Sequence, residues 1–505
     1  MKEYTISSLG GKLILFATIL ASGMAFLDGS VVNIAIPTMQ TQLHATITDI
    51  QWVVNAYALM LCALILISGA LGDRFGRKKV FVYGIVVFVI SSFLCGISHS
   101  ILQLAIFRAL QGIGGSMMIP GSLSIINISF KESIRGRVIG LWSGFAGGVA
   151  ALGPFVGGWL VQTFGWPSVF FINIPIGLIT LILTILAVPE SKNKESTKID
   201  LAGALCIFFS LLGLSYGLIS ATDVGWTNPL IIVSLLVGVL SFWLFLFIEM
   251  RVEEPLVPFR IFKSSLVSGA NIATSFLYFA LSGVIFFLVL NFQQIQHYSP
   301  ITAGLCLMPS ILLITFLSGV GGSIADKIGP RIPMIIGPLL VAIGMTLFIF
   351  PGRNANYFLQ YLPGLILFGC GMALVIAPLT KSALAVEGKY SGAASGVNNA
   401  IAAVARLFAV ALLAVIVLFL FEGQLDKHIN ISSLSTIEKQ QIMMQKNKLG
   451  GIEIPADFSR HDSLVAKEGI EESFIFGFRG AMGITAFLAF LSSLVAFFTI
   501  PKQKV

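Results

Sequence analysis

Apolar residues run along this chain in long blocks, not in the alternating or three-to-four spacing of a half-buried surface element. A helix needs about 20 apolar residues to cross a bilayer. Blocks of that size fall near 13–36, 50–71, 80–98, 101–128, 137–161, 167–188, 199–221, 228–249, 266–292, 301–322, 332–350, 358–380, 391–421 and 473–499. The pattern predicts an all-α polytopic membrane protein with fourteen spans. Those spans use most of the 505 residues and leave no room for a soluble domain. The first block is too long for a cleaved signal peptide and lacks a small-residue cleavage site, so it reads as a retained span.

Composition agrees. The chain is 56% apolar and 11% charged, against about 25% charged in soluble domains. Disordered, nucleic-acid-binding and disulfide-scaffold classes are excluded. The five cysteines all lie in apolar runs without a CxxC pair, and read as small buried hydrophobes.

The formal charge of +8 is a topology signal. With the N-terminus inside, the inner segments hold Lys12, Arg74, Arg77, Lys78, Lys79, Arg135, Arg251, Lys327 and Lys502 among others, and the short outer loops hold only Arg353. Positive residues stay on the cytoplasmic side. A multi-pass protein of the cell membrane with both termini cytoplasmic follows. His44, His99, His297, His428 and His461 then fall outside or at the outer edge, so a buried proton site must be a carboxylate or absent.

The run from Gly72 to Arg77 recurs loosely from Ala325 to Arg331, 253 residues on, and the first and ninth blocks are offset equally. This predicts a six-helix half over 1–190, a linker with two extra spans over 191–260, and a second six-helix half over 261–505 carrying a long external loop at about 422–472. Within that loop, 435–448 could form a short surface helix. Transporters built from two such halves hold their site at mid-membrane between them.

Charge inside a membrane is expensive and marks function by default. Asp28, Arg108 and Arg406 alone stand well inside spans. Asp28 and Arg108 share a depth and could face one another. A guanidinium favours a charged carboxylate, while burial favours the neutral one. A balance of that kind suits a proton-coupled exchanger; a fixed pair would be merely structural. Gln111 and Gly112 share the Arg108 face. Arg406 could line a cavity or snorkel to the surface. Asn33, Trp52, Asn55, Tyr57 and Gln111 would complete a polar cavity.

Two glycine-rich stretches stand out. Gly69, Gly72, Asp73, Arg74, Gly76 and Arg77 lie in a predicted cytoplasmic loop, where Asp73 could accept from backbone N–H groups at a helix start and act as a latch. Gly144, Gly148, Gly153, Pro154, Gly157 and Gly158 crowd the fifth span, with Gly144/Gly148 and Gly153/Gly157 as small-xxx-small pairs. No GxxxxGK[ST], HExxH or serine-elbow pattern is present. No cofactor, metal site or enzyme activity is therefore expected, and energy must come from a gradient or a partner.

Together these motifs resemble the major facilitator superfamily, and within it the fourteen-helix drug:proton antiporters of the QacA/EmrB type. The segment from Leu27 to Pro37 is similar to that group's first-helix motif, and Gly69 to Lys79 to the superfamily loop motif. Arg108 to Gly114 resembles the fourth-helix motif with its proton-linked arginine. Gly148 to Gly158 resembles the antiporter motif, and Phe171 to Gly177 a motif of the fourteen-helix group. The resemblance implies multidrug efflux and antibiotic resistance through proton exchange, with Asp28 and Arg108 coupling the two fluxes. The same machinery would serve an exporter or flippase of an endogenous lipid or metabolite. Implied partners are a small-molecule substrate, protons and the lipid bilayer, with no nucleic acid; a monomer is the working unit expected. The chain departs from the family at Trp166-Pro167-Ser168, where Trp-Arg-Trp is common, and at Arg406, where small residues are usual. It has no additional membrane acid of the kind that accompanies divalent cationic drugs.

Overall fold

A computed structural model describes residues 4–191, 200–252, 255–386, 391–432 and 434–501. The first helices are α1 (Leu9–Gln42), α2 (Ile47–Phe75), α3 (Arg77–Gly96), α4 (Ile101–Ser129), α5 (Glu132–Ala151), α6 (Gly153–Phe164), α7 (Ser168–Phe171) and α8 (Asn173–Ala187). Next come α9 (Leu201–Val224), α10 (Pro229–Glu249), α11 (Ser265–Leu290), α12 (Pro300–Ile328) and α13 (Arg331–Leu347). The last are α14 (Leu362–Ala383), α15 (Ser391–Ile431), α16 (Thr436–Met443) and α17 (Arg460–Thr499). Single π-turns extend α11 over Asn291–Ile295 and lead into α14 over Tyr357–Tyr361.

Lipid cannot satisfy backbone polar groups, so spanning segments are helical and their ends need caps. Ser8, Thr46, Ser100, Ser299 and Ser459 each accept from a backbone N–H in the first turn of their helix. Asp49 closes a capping box with Thr46 at the start of α2.

Among the described residues, twelve helical segments are long and apolar enough to cross a membrane. Two of the fourteen predicted blocks are not among them. The block at 137–161 divides at Leu152, two residues before Pro154, which has no N–H to continue the ladder. The block at 332–350 forms α13, which has 17 residues. The connection between the last two helices is also shorter than the 422–472 predicted. α15 continues to Ile431 and α17 begins at Arg460, because Leu425 and Ile429 on one helix and Ala466 and Ile470 on the other stay in the core. The connection that remains carries α16, capped by Ser435 and Glu438.

The helix pairings within α1–α8 recur within α11–α17. α1 packs on α5 and α8, and α11 packs on α15 and α17. Likewise α4 packs on α2 and α3, and α14 packs on α12 and α13. Contacts of α6 with α12 and of α2 with α15 join the two groups. The intervening α9 and α10 pack on each other, and α9 seats in the seam of α2 and α15 through Leu59, Cys62, Leu211, Ala403 and Leu407.

One end of this seam is closed. Gln293 Nε2 donates to Ile34 O at 3.0 Å, and Gln294 Nε2 to Gln40 Oε1 at 2.9 Å. The connection between α15 and α17 lies across the same end. Gln40 Nε2 donates to Lys448 O at 2.9 Å, and Asn447 Nδ2 to Asp223 Oδ1 at 2.8 Å.

Candidate functional site

A polar knot sits inside the first group of spans. α1 brings Asp28, α4 brings Arg108 and Gln111 one turn apart, and α8 brings Asn173 at its first position. Arg108 Nη1 donates to Asp28 Oδ2 at 2.5 Å and to Gln111 Oε1 at 2.7 Å. Gln111 Nε2 donates back to Asp28 Oδ1 at 2.8 Å, and Asn173 Nδ2 to the same oxygen at 3.0 Å. Arg108 Nε donates to Val53 O at 3.1 Å. The four side chains are essentially inaccessible, at 0–1% exposure. Both carboxylate oxygens thus have donors, as a buried charge requires.

Aromatic rings seal the pair. The guanidinium carbon lies 4.4 Å from the Tyr57 ring centroid and 5.7 Å from that of Phe170. Tyr57 in turn donates its hydroxyl to Ala25 O at 3.2 Å. Gly112 brings α4 against the α2 backbone: a Cβ there would collide with Tyr57 O. This close approach sets α4 beside the α2 backbone whose Val53 carbonyl Arg108 reaches.

Arg108 and Tyr57 form part of the wall of a cavity of about 440 Å³ between the two groups of helices. Asn33, Asn55, Pro154 and Arg406 also line it, with an aliphatic wall from α11 and α12. Asp28 and Gln111 stand behind Arg108 and are not lining residues. Trp52 is not one either; its ring lies 5.9 Å from that of Tyr216 on α9, tilted by 49°. Arg406 faces the cavity side, its guanidinium 5.5 Å from the Tyr278 ring centroid.

The two glycine motifs take forms that spacing did not foretell. Gly69 to Phe75 continues α2, and the predicted loop reduces to Gly76, at φ 117°. That left-handed backbone favours glycine. The Glu190 carboxylate packs there and accepts from Lys78 N at 3.2 Å, at the positive end of α3. Arg77 N donates to Ser191 O at 2.9 Å. Arg74 stacks on Phe75 at 5.6 Å. The Asp73 side chain lies outside the described ones. In the second motif, Gly153 and Gly157 abut Ser30 and Val31 of α1, and Gly158 abuts Pro300 and Ile301 of α12. Among the described residues, nothing lies within 4 Å of an added Cβ at Gly144 or Gly148.

Two members of the knot were not singled out as site residues from sequence. Asn173 lies within the Phe171 to Gly177 motif, which was its only signal. Ser92, which accepts from Asn173 Nδ2 at 3.0 Å, had none, being one serine among many in an apolar span.

Comparison with known proteins places this geometry. The model of the Major Facilitator Superfamily matches residues 18–410. The chain is 30% identical to "Multidrug resistance protein Stp" of Mycobacterium tuberculosis over 487 residues, 94% of this chain and 90% of that protein. It is 38% identical to "Methylenomycin A resistance protein" of Bacillus subtilis over 320 residues, 63% of this chain and 68% of that one. Among solved structures it shares the fold of a bacterial homolog of the human lysosomal transporter Spinster in an inward-facing, unoccupied conformation, with TM-score 0.68 and 16% identity over 97% of this chain and 98% of that one. A D-xylose-proton symporter gives TM-score 0.63 at 15% identity over 98% of each chain. The family match over most of the length and the near full-length relative make this chain a member of the Major Facilitator Superfamily, a multi-pass membrane transporter of small molecules.

Proposed function

We propose that the chain exports amphipathic small molecules, antibiotics among them, across the cytoplasmic membrane in exchange for protons. Fourteen spans are its working topology, in the manner of the QacA/EmrB type, with the broken α5–α6 segment and the short α13 each counted as one span. Two six-helix halves, 1–190 and 261–505, move about the cavity, with 191–260 as an inserted pair and both termini cytoplasmic.

The observation that supports this most is the buried Asp28 carboxylate tied to Arg108 at the cavity wall. Protonation of Asp28 removes the charge that holds Arg108, Gln111 and Asn173 together. The wall of the cavity then rearranges, and the balance between the two access states shifts. Asp28 is the proton site, Arg108 its partner, and Gln111 and Asn173 position the carboxylate. The names of the relatives support drugs as substrates.

The test is export into proteoliposomes with an imposed pH gradient and a panel of labelled antibiotics. Uphill accumulation that collapses with a protonophore is the expected result. Gradient-independent equilibration of every compound would refute proton exchange.

A further inference from the structure

The cavity exposes a positive charge that no described residue answers. Arg108 and Arg406 are its only charged lining residues, and no carboxylate lines it among the described residues. Arg108 is neutralised from behind by Asp28. Arg406 makes no ion pair or hydrogen bond to any described residue, and rests only on the Tyr278 ring. A guanidinium holds its charge at any physiological pH, so this positive charge is permanent. Asn55 adds a second, independent sign. Its side chain is 1% exposed, lines the same cavity, and has no partner among the described residues for either its amide N–H or its carbonyl oxygen. Buried amides are normally satisfied; one that is not, at the wall of a binding cavity, is poised for a ligand.

Resting on the export reading above, we propose that the substrates of this transporter are amphipathic anions. A carboxylate, or another small anionic group, pairs with Arg406. A neighbouring amide, hydroxyl or carbonyl of the same molecule bonds Asn55. The hydrophobic body lies on the aliphatic wall of Leu281, Ile285, Ile311 and Phe368. The planar fork of Arg406 matches a carboxylate in two-point geometry. A cationic drug meets the unpaired guanidinium of Arg406 and, among the described residues, no lining carboxylate, and is disfavoured.

Three matched fluorescent probes test this: 1-pyrenebutyrate, its methyl ester, and 1-pyrenebutylamine. Binding is measured to the purified full-length protein in detergent. The anion should bind about tenfold or more tighter than the ester, in line with a charge-assisted hydrogen bond, and the amine weakest. Arg406→Gln should erase the gap between anion and ester by weakening the anion. Arg406→Lys should restore part of it. Asn55→Ala should weaken the ester, whose carbonyl is free to bond Asn55. Equal binding of anion and ester by the wild type, or a preference for the amine, overturns the proposal. So does a preference for the anion that survives Arg406→Gln. Proton-driven export is assayed separately with the neutral ester. Export without anion preference sinks this inference and leaves the export reading standing; anion preference without proton-driven export does the reverse.

Discussion

Gln111 grips both members of the buried ion pair: its amide N–H donates to Asp28 Oδ1 at 2.8 Å, and its carbonyl oxygen accepts from Arg108 at 2.7 Å. The three groups close a ring in which the carboxylate charge is the element every other contact serves. Removing that charge should therefore alter coupling before it alters folding. Asp28→Asn keeps the shape and presents a permanently neutral side chain. It should abolish uphill export driven by a pH gradient, while substrate binding and downhill exchange persist. Full gradient-driven accumulation by this variant in proteoliposomes would place the proton elsewhere.

Arg108 should be harder to replace. Arg108→Ala leaves a buried carboxylate without its counter-ion, a loss on the order of 3–5 kcal/mol, and should lower both the yield of folded protein and coupled export. Arg108→Lys should rescue poorly. One ammonium cannot reach Val53 O, Asp28 and Gln111 in the directions the guanidinium uses. Wild-type export rates in the lysine variant would mean that charge alone suffices.

Two asparagines separate the knot from its surroundings. Asn173 donates to Asp28 and Ser92 across helices, whereas Asn33 donates only to Gly29 O within its own helix. A hydrogen bond to a charged group is worth about 1.5–3 kcal/mol. Asn173→Ala should lower the thermal unfolding midpoint of the purified protein by a few degrees, and Asn33→Ala should not. Matching midpoints for the two variants would remove Asn173 from the set of positioning residues.

The orientation rests on the distribution of Lys and Arg and is open to chemical labelling. Met444, at 83% exposure in the connection between α15 and α17, should react as Met444→Cys with an impermeant thiol reagent applied outside intact cells. Lys131→Cys, at the exposed junction of α4 and α5, should react only after permeabilisation. The native cysteines are buried or partly buried and give a low background. The reverse pattern would invert the topology and the direction of transport with it.

The ion pair was legible in the sequence because the membrane makes charge rare. Asp28, Arg108 and Arg406 stood out against apolar runs, and equal depth joined the first two. What surrounds them was not legible. Asn173, Ser92 and Val53 O are ordinary residues or backbone, and only the crossing of α1, α2, α3, α4 and α8 brings them together. Spacing also could not separate Gly144/Gly148 from Gly153/Gly157, since both are four-residue pairs. A glycine records that some helix needs room, not which one, or in which conformation. The Gly69 to Lys79 stretch read as a loop because it is polar. α2 runs through it to Phe75, since a helix past the apolar block still satisfies its own backbone.

The last prediction uses that ambiguity within one motif. Gly158 abuts the first residues of α12, where an added Cβ would lie 2.6 Å from Pro300 O and 2.7 Å from the Ile301 Cα. Both neighbours are backbone and cannot rotate away. This contact lies where the two groups of helices meet, at the closed end held by Gln293 and Gln294. Gly158→Ala should thus wedge the seam and disfavour the closed arrangement, without touching Asp28 or the cavity floor. Gly148, ten residues earlier on the other side of the Leu152 break, has no described atom within 4 Å of an added Cβ. Gly148→Ala should therefore leave the closed arrangement in place. The reporter is Ile34→Cys, whose carbonyl accepts from Gln293 at the seam and whose native side chain is fully buried. Its labelling by an impermeant reagent from outside should rise severalfold in the Gly158→Ala background and stay low in the Gly148→Ala background. Export should fall in the first variant through slower alternation, with substrate affinity in detergent unchanged. Equal labelling in the two backgrounds would mean that Gly158 is packing alone and takes no part in closing the seam.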